Sequence, residues 1–194
     1  MSAPDGQVIS DSFVDPLQFA LIFDRHIDEV RRFVVRRLGP SRADDVVSEV
    51  FRVAFERRAT FEVAAVSALP WLYGIATNLV RRDHRSHARR LAALHRADGH
   101  RTVVNDPLLD AAARVDANAE VRGLGAALLA LGDDEREVLL LVAWEQLTPT
   151  EAAAVLGIPA ATARTRLRRA RMRVRSSLNT NHDRETEEVA TDAN

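Results

Sequence analysis

Residues 148–178 constrain this chain more than any other stretch, because two helix signals follow each other with almost no connection. Thr148 can cap a helix, a proline occupies its first turn, and Glu151 stands where a capping-box carboxylate reaches back. Gly157 supplies the backbone freedom for a tight stop, and a second helix is predicted from about Ala160. Two helices joined by so short a glycine-containing turn predict a helix-turn-helix.

The second of these helices has an apolar stripe and an arginine-rich surface. At about 100° per residue, one stripe is predicted to be core: Ala163, Leu167, Ala170, Val174 and Leu178. No acid lies between Ala160 and Leu178, and the remaining surface carries hydroxyls and guanidiniums: Thr162, Arg164, Thr165, Arg166, Arg168, Arg169, Arg171, Arg173 and Arg175. Arginine runs are usually solvated faces, but those mix signs. Arginine and threonine in this position favour contact with base edges and phosphates of DNA.

The net charge of -1 hides two basic islands. Residues 81–101 hold seven arginines against two aspartates, and residues 164–175 hold seven arginines and no acid. The tail from Asn179 carries five acids against one arginine. Phosphates respond to the local potential, so a near-neutral total is compatible with nucleic-acid binding.

Composition excludes several classes of protein. The chain has no cysteine, which rules out disulfides and thiolate chemistry and makes a reducing cytoplasm the expected location. No apolar run is long enough to cross a membrane, so no membrane partner is expected. Four histidines between His84 and His100 lack metal-ligand spacing. Without a nucleophile, paired carboxylates or a glycine-rich phosphate loop, we expect neither an enzyme nor a cofactor or metal site.

Helical periodicity on both sides of residues 93–117, where it is lost, predicts an all-α fold of two small helical domains joined by a flexible linker, the second carrying the helix-turn-helix. Length allows one medium or two small domains, at 194 residues. The predicted segments are a mobile N-terminus at 1–14, a first domain at 15–92, the linker at 93–117, the helix-turn-helix domain at 118–178 and an acidic disordered tail at 179–194.

In the first domain, a helix is predicted from Pro16 to Leu38, and Ser41 is predicted to cap the next one. Asp44 and Asp45 would lie in its first turn, where the helix dipole favours carboxylates. Its apolar side comprises Val46, Val47, Val50, Phe51, Ala54 and Phe55. The opposite side comprises Asp45, Ser48, Glu49 and Arg52.

A third helix is predicted from Pro70, after a loop at 60–68. Its inward residues are Leu72, Ile75, Ala76 and Leu79, and a neighbouring stripe carries Trp71, Asn78, Arg82, Arg85 and Arg89. Two interpretations stay open. The tryptophan is a core residue beside solvated arginines, or the stripe is a surface on which single-stranded bases stack.

In the second domain, a short helix from near Glu120 is predicted to end at Gly132. Asp133 is predicted to cap the following helix. The run VLLLVAW at 138–144 is apolar nearly all round and is therefore predicted to be buried.

Three ordered motifs resemble one family. DDVVSEVF at 44–51, WLYGIATNLVRRDHR at 71–85 and a helix-turn-helix ending IPAATARTRLRRAR are similar to bacterial sigma factors of the extracytoplasmic-function (ECF) group of the sigma-70 family. These keep only the second and fourth conserved domains of sigma-70. The resemblance implies a protein that binds core RNA polymerase, directs it to specific promoters and helps to melt the −10 region.

The resemblance also implies roles for individual residues. Contact with the polymerase, at the largest-subunit clamp helices, is implied for Asp45, Ser48, Glu49, Phe51 and Arg52, with the flap as a further site. Contact with the −10 element is implied for Trp71, Asn78, Arg81, Arg82, Arg85 and Arg89, with Asn78 and the preceding loop holding a flipped base. Contact with the −35 element is implied for Thr162, Arg164, Thr165, Arg166, Arg168, Arg169 and Arg171.

Two positions depart from the family pattern. Ser48 stands where the family commonly has glutamine, and Ala163 where valine is usual.

An anti-sigma factor is a further partner that the resemblance implies. The alternative is a stand-alone helix-turn-helix regulator, which would bind a palindromic site by itself. A nucleic-acid enzyme is disfavoured by the missing catalytic constellation.

Overall fold

The computed structural model describes residues 3–98 and 119–192. The chain divides into two compact units, Met1–Pro107 and Leu108–Asn194. Every regular element within the described residues is helical, so the predicted all-α class is confirmed for that part of the chain. Most of the predicted linker, from residue 99 to 117, lies outside the described residues.

In its described residues, 3–98, unit 1 contains four α-helices and two short 3-10 turns. The helices are α1 (Asp5–Asp11), α2 (Ala20–Leu38), α3 (Pro40–Glu56) and α4 (Leu69–Asp98), and the turns are Pro16–Phe19 and Arg58–Thr60. Helices α2, α3 and α4 pack on one another. Phe33 and Leu72 are fully buried between them, and the Phe33 ring stacks on Tyr73 with centroids 4.6 Å apart. Each such side chain contributes roughly 1.5–3 kcal/mol by leaving water.

The turn between α2 and α3 differs from its prediction. Gly39 adopts a φ of 75°, and Pro40 is already the first helical residue of α3. Ser41 therefore lies inside the helix and does not cap it, and the first turn contains no acid. Proline fixes its own φ near the helical value, which lets the helix start two residues earlier than it would with Ser41 as its cap. The predicted positions of Asp44 and Asp45 are wrong for the same reason.

The N-terminal segment is not a structureless lead-in. The prediction of a mobile N-terminus at 1–14 is wrong for the described residues 3–14, because α1 forms there and packs against α2. Val8 and Ile9 are 2% and 0% exposed. Two adjacent apolar residues are too short a signal for a periodicity argument, since burial here depends on partners far along the chain.

Helix α4 begins at Leu69 and continues to Asp98, so residues 93–98 belong to it and not to the linker. The acidic tail is also helical, as far as Asp192. The prediction of disorder for residues 179–192 is therefore contradicted. No glycine or proline occurs between Ala160 and Asp192, so the sequence contains no strong helix breaker there.

Unit 2 contains α5 (Ala119–Leu129), α6 (Asp133–Ala143), α7 (Pro149–Leu156) and α8 (Ala160–Asp192). Helix α8 packs against the other three. The α6 cap is Gly132, whose backbone serves without a side-chain bond, so the prediction that Asp133 caps this helix is wrong. The prediction that VLLLVAW is buried is confirmed for Val138, Leu140 and Leu141. It is wrong for Ala143, which is exposed, and for Trp144, which is 41% exposed.

The predicted helix-turn-helix is confirmed in detail. The Thr148 side chain accepts a hydrogen bond from the Glu151 amide at 3.2 Å, and the Thr148 amide donates to the Glu151 carboxylate at 2.8 Å. Gly157 has a φ of 66°, in the left-handed region. Ala163 and Leu167 on the inner stripe of α8 are 0% and 4% exposed.

Removing the capping box should destabilise unit 2. We expect Thr148→Ala to lower the free energy of unfolding by about 1 kcal/mol, because one amide at the start of α7 loses its acceptor. Thr150→Ala is the matched control, since Thr150 is exposed in the same helix and does not cap it. Urea unfolding followed by circular dichroism measures both variants, and equal midpoints would show that the box adds no stability.

Candidate nucleic-acid interface

The first candidate surface is the outer face of α8. Ala163, Leu167 and Ala170 are buried and hold this helix on its neighbours, and the capping box with Gly157 orients α7 before it. Five arginines on the outer face are exposed, and no ion pair joins them to any acid whose side chain the structure describes: Arg164, Arg168, Arg169, Arg171 and Arg175. These guanidiniums are available to an anionic partner.

Four of the five line one open groove. It has a volume of about 610 Å³ and runs from Pro149 at the start of α7 along the outer face of α8. Met172, which is 58% exposed, adds an apolar patch to its wall. Arg169 lies outside this groove. The arginines are therefore concentrated along one side of the helix, as contact with an extended anion requires.

Two other arginines of α8 have intramolecular roles. Arg166 pairs with Asp134 at 2.6 Å, and Arg173 pairs with Glu135 at 2.7 Å. Both acids belong to α6, so these pairs join the two helices. Arg166 was grouped by sequence with the DNA-contacting residues, and the structure places it instead in a contact within unit 2. Exposed pairs of this kind contribute about 0–1 kcal/mol.

The hydroxyl residues of this surface differ in exposure. Thr165 is exposed, and its hydroxyl donates to the Ala161 carbonyl at 3.0 Å. Thr162 is half-buried. The methyl group of Thr165 therefore remains open on the outer face, while its hydroxyl proton has a partner in the helix.

The second candidate surface is a stripe along α4. Asn78, Arg82, Arg85 and Arg89 are exposed, and Arg82 is near enough to α3 to help lower the pKa of Glu49. Trp71 is half-buried, with its ring edge-on to Phe61 at a centroid distance of 5.3 Å. Arg81 is also half-buried. The structure thus separates four exposed residues from two that are half-buried.

A loop at residues 61–68 precedes this stripe. Phe61 and Ala68 at its two ends are 6% and 0% exposed, whereas Val63 and Val66 between them are 54% and 93% exposed. Aliphatic side chains held outward between buried ends form a small apolar tip. The predicted loop at 60–68 is confirmed except for Thr60, which closes the preceding 3-10 turn.

Asp5 is a residue that sequence reasoning missed. Its carboxylate accepts from the Ala68 amide at 2.8 Å and from Arg25 at 2.9 Å, and lies 2.7 Å from His26 Nε2. Burial raises the pKa of Asp5, but these hydrogen bonds outweigh it and the net pKa lies below the usual value of 3.8. No local pattern marks Asp5, because its partners lie 20, 21 and 63 residues away.

The third candidate surface is the outer face of α3. Asp45 and Ser48 are exposed, and the Ser48 hydroxyl donates to the Asp44 carbonyl at 3.0 Å. Glu49 and Arg52 are paired at 2.6 Å. The hydrogen bond from Arg52 lowers the pKa of Glu49, and that same bond raises the pKa of Arg52.

Phe51 does not belong to this outer face. It is 6% exposed, and its ring meets Phe23 edge-on at 4.9 Å. Sequence placed it both on the apolar side of α3 and among the polymerase contacts, and the structure supports only the first. Phe51 packs α3 against α2 and so supports the charged residues on the opposite side.

The comparisons with known proteins decide the family. Residues 22–90 match sigma-70 region 2, and residues 122–174 match sigma-70 region 4. The ECF RNA polymerase sigma factor EcfG of Rhodopseudomonas palustris is 32% identical over 156 residues, which cover 78% of this chain and 80% of EcfG. This chain belongs to the ECF group of sigma-70 factors.

Other relatives of this ECF sigma factor agree. SigC of Mycobacterium tuberculosis is 33% identical over 143 residues, or 74% of each chain. The probable sigma factor RfaY of Xanthomonas campestris is 36% identical over 136 residues, which span 70% of this chain but only 34% of RfaY. Sigma factors are non-enzymatic initiation factors that bind RNA polymerase and select promoters. The alternative of a stand-alone regulator is therefore not favoured.

Solved structures share the fold of this sigma factor. RpoE from Bartonella quintana, in complex with the anti-sigma factor NepR, has a TM-score of 0.60 and 23% identity, covering 83% of this chain and 96% of RpoE. CnrH, in complex with the cytosolic domain of CnrY, has a TM-score of 0.59 and 22% identity, covering 91% and 97%. In the described part of this chain, no helix is long and apolar enough to cross a membrane, and no cluster of metal-binding side chains occurs.

Proposed function

We propose that this sigma factor divides promoter recognition between its two units. Unit 1, with its domain at 15–92, binds core polymerase and the melted −10 element, and unit 2, with its domain at 118–178, reads the −35 element. The observation that carries the proposal is the set of five exposed arginines on α8, which no described acid pairs. The members of both arginine surfaces, except Arg175, lie within the segments that match sigma-70 regions 2 and 4.

Recognition of the −35 element would use the first turns of α8. In a helix-turn-helix, the N-terminal residues of the second helix contact base edges in the major groove. Arg164, Thr165 and Arg168 occupy this part of α8 and are exposed. A guanidinium can bind guanine through two hydrogen bonds, and a threonine methyl can contact thymine. Arg171 and Arg175, further along the groove, would bind phosphates and set the register.

Recognition of the −10 element would use the 61–68 loop together with Asn78. A base that has left the stack needs an apolar surface beside it and polar groups for its edge. Val63 and Val66 are exposed at the loop tip, and the Asn78 amide is exposed on α4. Arg82, Arg85 and Arg89 would neutralise the backbone along the same helix.

Docking on the polymerase would use the outer face of α3. Asp45 is exposed and has no ion pair among the described residues, so it can pair with a basic surface on the partner. Glu49 and Arg52 already satisfy each other. They would add a rigid, mutually oriented pair to the rim of the interface. Rim charges of this kind mainly affect association rate and specificity.

We infer two further properties from the relatives. RpoE was solved in complex with the anti-sigma factor NepR, and CnrH in complex with the cytosolic domain of CnrY. The first of these complexes supports an anti-sigma partner for the present chain as well. Because the protein would bind RNA polymerase and promoter DNA, we also infer that it acts in the cytoplasm. Neither polymerase binding nor promoter recognition needs a cofactor or an enzymatic step.

Arg164→Ala should weaken promoter binding by about 1–3 kcal/mol and relax sequence preference at one or two −35 positions. The reason is the loss of a guanidinium that contacts base edges. Arg173→Ala is the matched control, because Arg173 lies on the same helix but pairs with Glu135. Holoenzyme binding to a library of −35 variants measures both, and a loss uniform across all sequences would make Arg164 a phosphate contact.

Asp45→Arg should reduce binding to core polymerase without loss of folding. The change replaces an exposed, unpaired carboxylate with a guanidinium, which a basic partner surface would repel. Asp28→Arg is the control, since Asp28 is equally exposed on α2. Fluorescence anisotropy of labelled sigma factor with core enzyme gives the affinities. Wild-type affinity for Asp45→Arg would contradict docking through this face of α3.

Asn78→Ala should leave core binding and closed complexes unchanged but reduce open complexes. A base inside the duplex costs a few kcal/mol to extract, and the variant loses a group that would hold it outside. A template already mismatched across the −10 element should recover part of the loss. Permanganate footprinting of unpaired thymines measures opening, and wild-type melting by Asn78→Ala would exclude base capture by this residue.

A further inference from the structure

Helix α1 is joined to the 61–68 loop through a buried carboxylate. Asp5 is 6% exposed and connects three segments of unit 1. Its Oδ2 accepts from the Ala68 amide, where the loop meets α4, and lies beside His26 Nε2, while Oδ1 accepts from Arg25. His26 and Arg25 both belong to α2. Asp5 therefore ties the C-terminal end of the loop to α2 through the first residue of α1.

The same helix also contacts the middle of the loop through its backbone. A Cβ placed on Gly6 would lie 2.1 Å from the carbonyl oxygen of Val63, closer than real Cβ contacts occur. Only glycine permits this approach of α1 to the loop backbone. The contact is independent of the Asp5 carboxylate, so two adjacent residues hold the loop at two points.

The loop has few bonds of its own. Within residues 61–68, one backbone hydrogen bond forms between loop residues, from the Ala65 amide to the Glu62 carbonyl at 2.8 Å. The Leu69 amide, at the start of α4, is bonded to the Ser67 hydroxyl at 3.2 Å. Val63 and Val66 nevertheless stand out from the surface between two buried ends. Contacts from outside the loop therefore account for much of its shape.

We propose that α1 is a clamp that positions the 61–68 loop for the melted −10 base, with Asp5 and Gly6 as its two positioning residues. This inference rests on the −10 role proposed above. Both residues are buried, so neither touches DNA. Their effect is to hold the loop in its binding shape before the base arrives, which removes the entropy cost of ordering it during promoter opening. The resulting site has a defined fit and discriminates among bases.

Asp5→Asn tests the clamp, with Asp11→Asn as the matched control. Asp11 lies on the same helix, is exposed, and binds only Gln7 through its side chain in the described structure. In holoenzyme, Asp5→Asn should keep core binding and closed complexes but lose about tenfold in open complex, the scale of one charge-assisted hydrogen bond. It should also flatten the preference among the four bases at the captured position, and Asp11→Asn should change neither.

Gly6→Ala is a second test that leaves the carboxylate in place. Alanine favours the helix more than glycine, so α1 itself is not weakened. Its methyl group must push the Val63 carbonyl away and shift the loop. The same loss of base preference is expected. If Asp5→Asn lowers thermal stability so far that core binding is lost, Gly6→Ala decides the question alone.

The outcomes separate the clamp from the −10 role of the loop. Wild-type base preference in both Asp5→Asn and Gly6→Ala, while Val66→Ser changes it, overturns the clamp and leaves the proposed function standing. Wild-type preference in Val66→Ser and Asn78→Ala overturns the −10 role and the clamp with it. Hydrogen exchange at the Ala68 amide gives a readout without DNA. We expect this amide to exchange faster in Asp5→Asn than in wild type and to be unaffected by Asp11→Asn. Unchanged exchange in Asp5→Asn overturns the clamp.

Discussion

A guanidinium can reach a phosphate or a base only when no carboxylate of its own chain already holds it. This chain carries 27 arginines and 28 acids, so the fold must keep selected arginines away from its own acids. Helix α8 shows how this is achieved. Arg166 and Arg173 face the acids of α6 and pair with them, whereas Arg164 and Arg168 face outward beyond their reach. One helix thus carries both the pairs that fix its position and the charges that remain free for DNA.

The same division of charges recurs in unit 1. Arg42 pairs with Asp83 at 2.7 Å and joins α3 to α4. Arg85 and Arg89, roughly half a turn and nearly two turns beyond Asp83, are exposed on the stripe. A long helix suits this arrangement, because its backbone is stabilised internally and its side chains stay at fixed spacing even where nothing covers them. The arginine surfaces proposed for recognition on α4 and α8 therefore stand on regular helices, whereas the loop proposed to complete the −10 site contacts α1.

Errors in the sequence-based predictions share one cause. Ser41 resembles a helix cap, but Gly39 and Pro40 begin the helix earlier. Phe51 resembles a family contact residue, but it is buried against α2. In each case a local or family pattern allowed two roles, and a neighbour outside the pattern selected one.

The sequence by itself determined the helices, their apolar stripes and the helix-turn-helix, because these depend on residues within about four positions of one another. The capping box of Thr148 and the left-handed Gly157 are of this kind. Only the tertiary structure decided which arginines are free and what holds the 61–68 loop. Asp5 and the Ala68 amide are 63 residues apart, and Arg173 and Glu135 are 38 apart. Such contacts exist only after the helices pack, since no short-range spacing encodes which distant groups will meet.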